Sequence, residues 1–301
     1  MASAKDWIEA FRPRTLFLAV GAVVLGNGLA FHESGLNAVT FILTLLLAMS
    51  MQGLTNMAND LGDYLKGTDI TGKRQGPTRT VQGGKITPSL MKRGIGLVIL
   101  FVAAIGALLV LRVAEAIGWK WVLIMLGIGA CAILAAVFYT VGKNAYGYKG
   151  WGDFFAFLFF GPVAVIGSYF LQTFSLDFQP VLPASGLGFI STMILNINNM
   201  RDIDNDRSSG KITVASRLGL ANARIYHALL TFGMFTCFLQ YSFLFAPAPW
   251  YRYLYAIVFL FQLKILNDLF QKQNKAMDPY LRLTSMSGLL LAIVFSICIN
   301  I

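Results

Sequence analysis

Two stretches of this chain collect acids, amides and bases. The first is N-M-A-N-D-L-G-D-Y-L-K-G-T-D, from Asn56 to Asp69. The second is N-N-M-R-D-I-D-N-D, from Asn198 to Asp206. Asp60 and Asp63 are spaced i, i+3, and Asp202 and Asp206 i, i+4. On continuing helices each pair shares one face, with Asn56 one turn before Asp60. Like charges so placed repel, more strongly near a low-dielectric bilayer, so a cation must neutralise them. Hard oxygen ligands without His or Cys favour Mg²⁺ over Mn²⁺ or Ca²⁺. Bases follow each cluster: Lys66, Lys73, Arg74 and Arg79 after the first, Lys211 and Arg217 after the second. Arg clamps phosphate oxygens bidentately and Lys acts as a point charge. Gly67, Gly72 and Gly76 let the loop close over such a group. The chemistry this predicts is metal-assisted handling of a diphosphate. A single Asp would read as a solvated loop acid. Two clusters, each followed by bases, do not, because acids seldom gather at membrane depth without a function. Arg74, Arg79 and Lys211 are read as functional, and Lys92, Arg93, Lys272 and Lys275 as topological.

The elements that must position these residues are membrane helices. The 301 residues are 56% hydrophobic and 13% charged, with a mean hydropathy of +0.66. Soluble domains carry roughly 25% charged residues. A water-soluble globule is excluded, and so is a disordered chain. Nine stretches reach the ~20 apolar residues that span a bilayer: 15–31, 38–58, 94–113, 119–140, 154–173, 181–200, 225–246, 249–270 and 282–301. No strand alternation supports a barrel. The opening MASAKDWIEAFRPR lacks a cleavable-signal pattern, so the first span is expected to be retained. With the N-terminus inside, 20 of the 24 Lys and Arg fall on the inner side; the others are Arg112, Lys120, Arg252 and Lys264. This is the positive-inside pattern. It accounts for the net charge of +10 without a nucleic-acid partner. Outer connections are short, such as Phe245–Trp250, and the two long loops, 59–93 and 200–224, are both inside. Long loops in compact proteins usually carry function. The expected architecture is one all-α integral membrane domain over 1–301, with N-terminus and site loops on the cytoplasmic side of a bacterial inner membrane. Cys131, Cys237 and Cys298 lie in apolar stretches and read as small hydrophobes rather than zinc or disulfide partners.

On these residues the chain resembles the UbiA superfamily of intramembrane aromatic prenyltransferases. The resemblance is carried by A-F-R-P-R-T-L from Ala10 to Leu16, and by Asn56 with N-D-x-x-D at Asn59, Asp60 and Asp63. It continues through R-Q-G-P-T-R from Arg74 to Arg79 and Y-G-Y-x-G-x-G-D from Tyr146 to Asp153. L-N-I-N-N-M-R-D-I-D-N-D from Leu195 to Asp206, G-K-x-T from Gly210 and R-L-G from Arg217 complete it. The broad motif N-D-x-x-D-x-x-x-D is broken here: position 67 is Gly and the third acid comes at Asp69. That spacing is similar to the branch that prenylates 1,4-dihydroxy-2-naphthoate. The resemblance implies a nine-helix bundle whose cavity opens to the cytoplasm and to lipid. It implies that Asp60, Asp63, Asp202 and Asp206, with Asp69, hold Mg²⁺. Asn56, Asn59 and Asn199 would join the bases in binding substrate. An isoprenyl diphosphate would alkylate an aromatic acceptor, which in this branch loses its carboxyl group to give demethylmenaquinone.

Ionising an allylic diphosphate leaves negative charge on the leaving group and positive charge on the allyl fragment. Metal and bases stabilise the first. Aromatic faces stabilise the second by roughly 0.5–2 kcal/mol each. Tyr139 and Tyr146 are the preferred candidates among Tyr139, Tyr146, Tyr148, Phe155 and Phe159; lipid-belt aromatics are the plainer reading. Asp153 would orient the acceptor or assist proton removal, or else cap the fifth span. Lys264 and Asp268 are placed to pair with each other. Two rival functions share these features: a family member with another aromatic acceptor, and a cation-coupled transporter. Transporter sites usually sit near the midplane on broken helices, whereas these acids cluster at one side. A scaffold would need neither cluster.

Overall fold

The computed structural model describes residues 2–246 and 249–301. Pro247 and Ala248, in the outer connection after the seventh span, lie outside the described residues. Among the described residues nine helical stretches are long and apolar enough to span a bilayer. An amphipathic helix α1 (Ala4–Phe11) leads through a 3₁₀ turn into α2 (Leu16–Ser34). The second to fourth spans are α3 (Ala38–Leu65), α4 (Pro88–Arg112) and α6 (Trp119–Phe138), with one-turn α5 (Ala114–Ile117) before the last. The fifth span is composite: α7 (Gly152–Leu158), a π-helical stretch Phe159–Ile166 containing Pro162, and α8 (Gly167–Thr173). Then come α9 (Val181–Arg201), short α10 (Ile203–Ser208), α11 (Val214–Phe245), α12 (Ala256–Gln271) and α13 (Asp278–Asn300).

The sequence sets these ends locally. Asn37 and Thr87 cap α3 and α4 by accepting hydrogen bonds from the backbone N–H three residues on, and Pro88 opens α4. Each cap satisfies a donor that a helix start leaves free. At 28 residues, α3 runs about 42 Å at 1.5 Å per residue, well beyond a ~30 Å hydrocarbon layer. Its last turns, from Asn56, therefore stand in the loop layer. The i, i+3 reading of Asp60 and Asp63 holds because the helix continues to Leu65. The i, i+4 reading of Asp202 and Asp206 holds only loosely. The helix breaks at Asp202, with φ −107° and ψ 18°, although the Asp206 N–H still reaches the Asp202 carbonyl at 2.8 Å.

Helix α9 is central, with 61% of its most apolar stretch buried, whereas α6 is peripheral at 11%. The main core joins α2, the π stretch, α9, α11 and α13 through Leu25, Leu187, Phe238 and Phe295. A second cluster seats α1 and the loop before α4 on α3, through Ala10, Met57, Val81 and Ile86. Gly161 allows the π stretch to lie against α9: a Cβ there would meet the Ala184 carbonyl at 2.5 Å.

Candidate active site

A cavity of about 970 Å³ runs between α2, α3, α4, α6, the fifth span and α9. At one end it is lined by Asn56, Asn59, Asp60, Asp63, Arg79 and Lys211, and at the other by Thr44, Leu47, Trp121 and Phe170. Both ends touch α3. Asp60 and Thr44 are 16 residues apart, so the cavity follows that helix for about 24 Å. A polar, charged mouth continues into an apolar trough that follows α3 for about 18 Å from Asn56 to Thr44.

The mouth is organised by the loop that follows α3. Asp60 is buried and accepts the Thr80 N–H at 3.0 Å, the Thr80 hydroxyl at 2.5 Å and the Val81 N–H at 3.2 Å. It pins the loop's far end to the helix. Arg79 donates through Nη1 to the Asn59 carbonyl at 2.7 Å and to Asp63 Oδ2 at 2.6 Å, and lies 3.3 Å from Asp69 Oδ2. Arg74 Nε lies 3.2 Å from Asp69 Oδ1. The two arginines thus share Asp69 in the loop, and Arg79 also holds Asp63 on α3. Tyr148 donates to Asp63 Oδ1 at 2.6 Å, with Lys66 and Lys211 at 4.8 and 5.4 Å from its ring centre. Lys211 Nζ is 3.9 Å from Asp63 Oδ1.

The second cluster meets the same loop. The Gln75 N–H donates to Asp202 Oδ1 at 3.0 Å, and Asn205 bonds Thr71 and the Thr68 carbonyl. Arg201 donates to Asp202 Oδ2 at 2.6 Å and to Asp278 Oδ1 at 2.5 Å. Asp206 differs: it is buried, and its Oδ2 has no hydrogen-bond partner among the described residues. The Asp69 oxygens and Asn199 Oδ1 are also without hydrogen bonds.

Carboxyl acidities follow these contacts. Burial pushes Asp206 up to about 6, with Lys211 pulling it down and Asp202 and Asp63 adding to the rise. Burial also raises Asp69, against Arg79 and Arg74. It would raise Asp202 too, but the Arg201 hydrogen bond and charge outweigh it and hold that carboxyl below the usual range. Burial, and then its neighbour Arg79, bring Arg74 down to about 10.

Tyr139 and Tyr146 line the cavity wall, in edge contact at 5.3 Å between ring centres. Phe155 lies 4.3 Å from Tyr146, and Phe159 stacks on Phe155 at 6.0 Å. Other sequence candidates stand apart from the cavity. Lys73 is exposed on a separate polar groove beside Asp204 and Arg207. Arg217 is exposed and donates to the Lys149 carbonyl at 3.2 Å. Lys66 reaches the site only through Tyr148. Asn199 is buried behind the mouth. Asp153 does not cap α7; the cap position is Trp151, and Asp153 is buried with Oδ2 unpartnered. Lys264 and Asp268 form no ion pair among the described residues; Asp268 instead accepts from the Tyr280 hydroxyl at 3.1 Å. Sequence reasoning passed over Arg201 and Asp278. Arg201 sat inside the second motif and was counted only in the inner-side charge bias. Asp278 is isolated in sequence and reaches the site only because α13 begins beside α9.

The donors that could hold a divalent cation are all hard oxygens, from Asp63, Asp69, Asp202, Asp206 and the neighbouring amides. Among the described residues no three carboxylates converge on one point. That fits Mg²⁺, which typically takes one or two carboxylates and fills its shell with water and substrate phosphate. The buried, unpartnered Asp206 oxygen is the observation that fits such an ion best.

Residues 15–291 match the model of the UbiA prenyltransferase family. The chain is 37% identical over 296 residues to a 1,4-dihydroxy-2-naphthoate octaprenyltransferase of Haemophilus influenzae, covering 97% of this chain and 95% of the relative. It is 37% identical over 300 residues to the protein of that name from Escherichia coli, covering 98% and 95%. In fold it is similar to a UbiA homolog from Archaeoglobus fulgidus bound to GPP and Mg²⁺. The TM-score is 0.70 at 14% identity, over 98% of this chain and 99% of that one.

Proposed function

We infer the activity from one premise: the chain belongs to the UbiA prenyltransferase family. It is an integral membrane enzyme that transfers a polyprenyl group from an isoprenyl diphosphate to 1,4-dihydroxy-2-naphthoate. The acceptor's carboxyl group is lost, and the product is demethylmenaquinone. Identity to naphthoate prenyltransferases over nearly their whole length supports this acceptor. The observation that carries the reaction class is the cavity itself, an apolar trough that runs into the bilayer and ends on buried acids interleaved with Arg and Lys. A prenyl tail suits the trough and a diphosphate suits the mouth. The whole of 1–301 is read as one domain. The mouth is read as cytoplasmic, in a bacterial inner membrane, because the basic loops lie on that side.

Bound Mg²⁺, held by Asp63, Asp206 and their neighbours Asp60, Asp69 and Asp202, would supply positive charge at the diphosphate leaving group. Arg79, Arg74 and Lys211 face the remaining phosphate oxygens, with Asn59 as an amide partner; Asn56 is spent on Phe11 and Thr15, and Asn199 lies behind the mouth. Their charges are already ordered, so little reorganisation is needed as the allylic C–O bond breaks and its electron pair passes to the diphosphate. Tyr139 and Tyr146 present ring faces to the allyl fragment, and the apolar walls keep water from it. The ring carbon that bears the carboxylate forms the new C–C bond. The C–CO₂ bond then breaks, and its electrons restore the aromatic ring. No strong base is needed at that carbon, which suits a mouth whose loops carry no His.

The test uses purified enzyme, an isoprenyl diphosphate, Mg²⁺ and dihydroxynaphthoate labelled in the carboxyl carbon. One labelled CO₂ is expected per prenyl transferred, and excess chelator is expected to stop turnover. Label retained in the product, or faster prenylation of 4-hydroxybenzoate, would move the enzyme to another acceptor. Full turnover in chelator would remove the metal.

A further inference from the structure

Among the described residues the opening A-F-R-P-R-T-L stretch makes no ion pair with the acids of the mouth, yet it reaches the cavity. Arg12, Thr15 and Gln52 line it beside Asn56. Arg12 ends α1 in the left-handed conformation, φ 54° and ψ 69°, with its N–H bonded to the Ile8 and Glu9 carbonyls. That is a helix-end position where glycine is favoured and a side chain costs about 1 kcal/mol. The surroundings hold it there. Asn56 donates to the Phe11 carbonyl at 2.9 Å and to the Thr15 hydroxyl at 2.8 Å. Thr15 in turn donates to the Arg12 carbonyl at 2.9 Å. Gln52 donates to the Asn56 Oδ1 at 3.3 Å.

Two polar atoms in this corner are buried without a hydrogen-bond partner among the described residues: Arg12 Nη2, a donor, and Gln52 Oε1, an acceptor. Arg12 makes no ion pair among the described residues, whereas Arg74, Arg79 and Lys211 each lie within 4 Å of an acid. A buried guanidinium nitrogen with no partner on a cavity wall is costly unless a ligand anion completes it. Asn56 and Gln52 lie four and eight residues before Asp60 on α3, roughly 6 and 12 Å toward the bilayer. The Gln52 end of the corner is therefore offset from Asp60 by about the width of an aromatic ring system, while the Arg12 guanidinium stays within charge range of Asp60 and Arg79.

We propose that Arg12 and Gln52 form the acceptor subsite, with Arg12 binding the ring carboxylate and Gln52 Oε1 accepting the neighbouring phenolic O–H. The class of ligand is an ortho-hydroxy aryl carboxylate. A planar guanidinium matches a carboxylate in geometry as well as charge, and the free amide oxygen matches the adjacent hydroxyl. This rests on the naphthoate reading above but is tested apart from it.

The experiment titrates 1-hydroxy-2-naphthoate, without donor, into the full-length protein in lipid nanodiscs, with 1-naphthol as the control lacking the carboxylate. Arg12→Gly is the informative variant, because glycine suits the left-handed corner and should leave Tm equal or higher. Wild type is expected to bind the hydroxynaphthoate well over tenfold more tightly than the naphthol. Arg12→Gly should weaken the hydroxynaphthoate about 10- to 100-fold, the loss of a hydrogen-bonded charge pair, and leave the naphthol unchanged. Arg12→Lys should recover part of the loss, and Gln52→Met should cost about 2- to 10-fold. In turnover the acceptor KM should rise while the donor KM stays within about twofold. Equal affinity of wild type for both probes, equal weakening of both by Arg12→Gly, or a shift confined to the donor KM overturns the subsite. If labelled CO₂ is released normally by Arg12→Gly, the subsite falls and the activity stands. If wild type binds the hydroxynaphthoate through Arg12 but releases no CO₂, the activity falls and the subsite stands.

Discussion

The two acidic clusters read alike in sequence, Asn then Asp at a helix end followed by bases, yet they are built differently. In the first, the helix runs unbroken through Asp60 and Asp63, and the chain's own groups satisfy both. Asp60 holds the backbone of Thr80 and Val81. Asp63 holds Arg79 and Tyr148. In the second, the helix breaks at Asp202. Arg201 takes Asp202, while Asp206 keeps a buried oxygen with no partner. The first cluster is thus a finished scaffold that ties a phosphate-type loop to α3. The second keeps a buried carboxylate oxygen that the chain's own described groups do not satisfy. Similar motifs at two helix ends need not make a symmetric site; here one half organises the loop and the other supplies unmet demand.

The largest expected effect tests whether both halves serve one reaction. Asp63→Ala and Asp206→Ala should each lower turnover by on the order of a hundredfold or more, as loss of leaving-group stabilisation would. The halves should part in a second measurement, limited proteolysis of the loop 66–80. Asp60→Ala and Asp63→Ala should expose it, because each frees a loop contact. Asp206→Ala should leave cleavage at the wild-type rate. Near-normal turnover in either Asp63→Ala or Asp206→Ala would separate that cluster from the chemistry. Equal proteolysis in all three variants would erase the structural contrast.

A smaller effect concerns the cations. Arg79 serves Asp63 and Asp69, and its side chain is only 10% exposed. Removing one partner of a buried ion pair typically costs about 3 kcal/mol or more, because the other charge is left stranded. Arg79→Ala should therefore loosen residues 66–82, seen as faster backbone hydrogen exchange there. The α9–α13 junction held by Arg201 and Asp278 should exchange at its wild-type rate. Exchange that rises equally in both places would show the loop and the junction to be one cooperative unit.

How much of this was legible in the sequence follows the same division. The nine spans, the inner-side charge bias and both clusters could be read from apolar run length and residue type, since bilayer thickness and the positive-inside rule act on composition directly. What could not be read was pairing across long sequence separations. Asp278 meeting Arg201 and Tyr148 meeting Asp63 depend on which helices pack together. The break at Asp202 was invisible because no Gly or Pro marks it, and Arg201 entered only the count of inner-side charge, because the bases read as functional were those that follow each cluster. Arg12 was counted as topology too; only the fold shows its guanidinium on the cavity wall. Asp153 as a helix cap and Lys264 with Asp268 as a pair were reasonable by spacing. Asp268 yielded to the Tyr280 hydroxyl, a tertiary partner that spacing does not encode, and Asp153 falls two residues past the cap position at Trp151.

The smallest effects should come from the bases that motif reading placed with the substrate but the fold places elsewhere. Lys73 lies exposed on a groove with Asp204 and Arg207. Arg217 spends its guanidinium on the Lys149 carbonyl at the surface. Neither lines the cavity whose mouth holds Arg79 and Lys211. Exposed charges interact weakly at physiological salt, where the Debye length is about 8 Å, and surface substitutions rarely exceed about 0.5 kcal/mol. Lys73→Ala and Arg217→Ala should therefore keep turnover and donor KM within about twofold of wild type, with any change shrinking as salt is raised. Lys211→Ala, by contrast, removes a buried base at the mouth and should raise donor KM and lower turnover well beyond that range. A tenfold loss in Lys73→Ala that persists at high salt would mean the loop moves on binding donor and carries Lys73 onto the phosphates. The first cluster would then be a closing clamp rather than a finished scaffold.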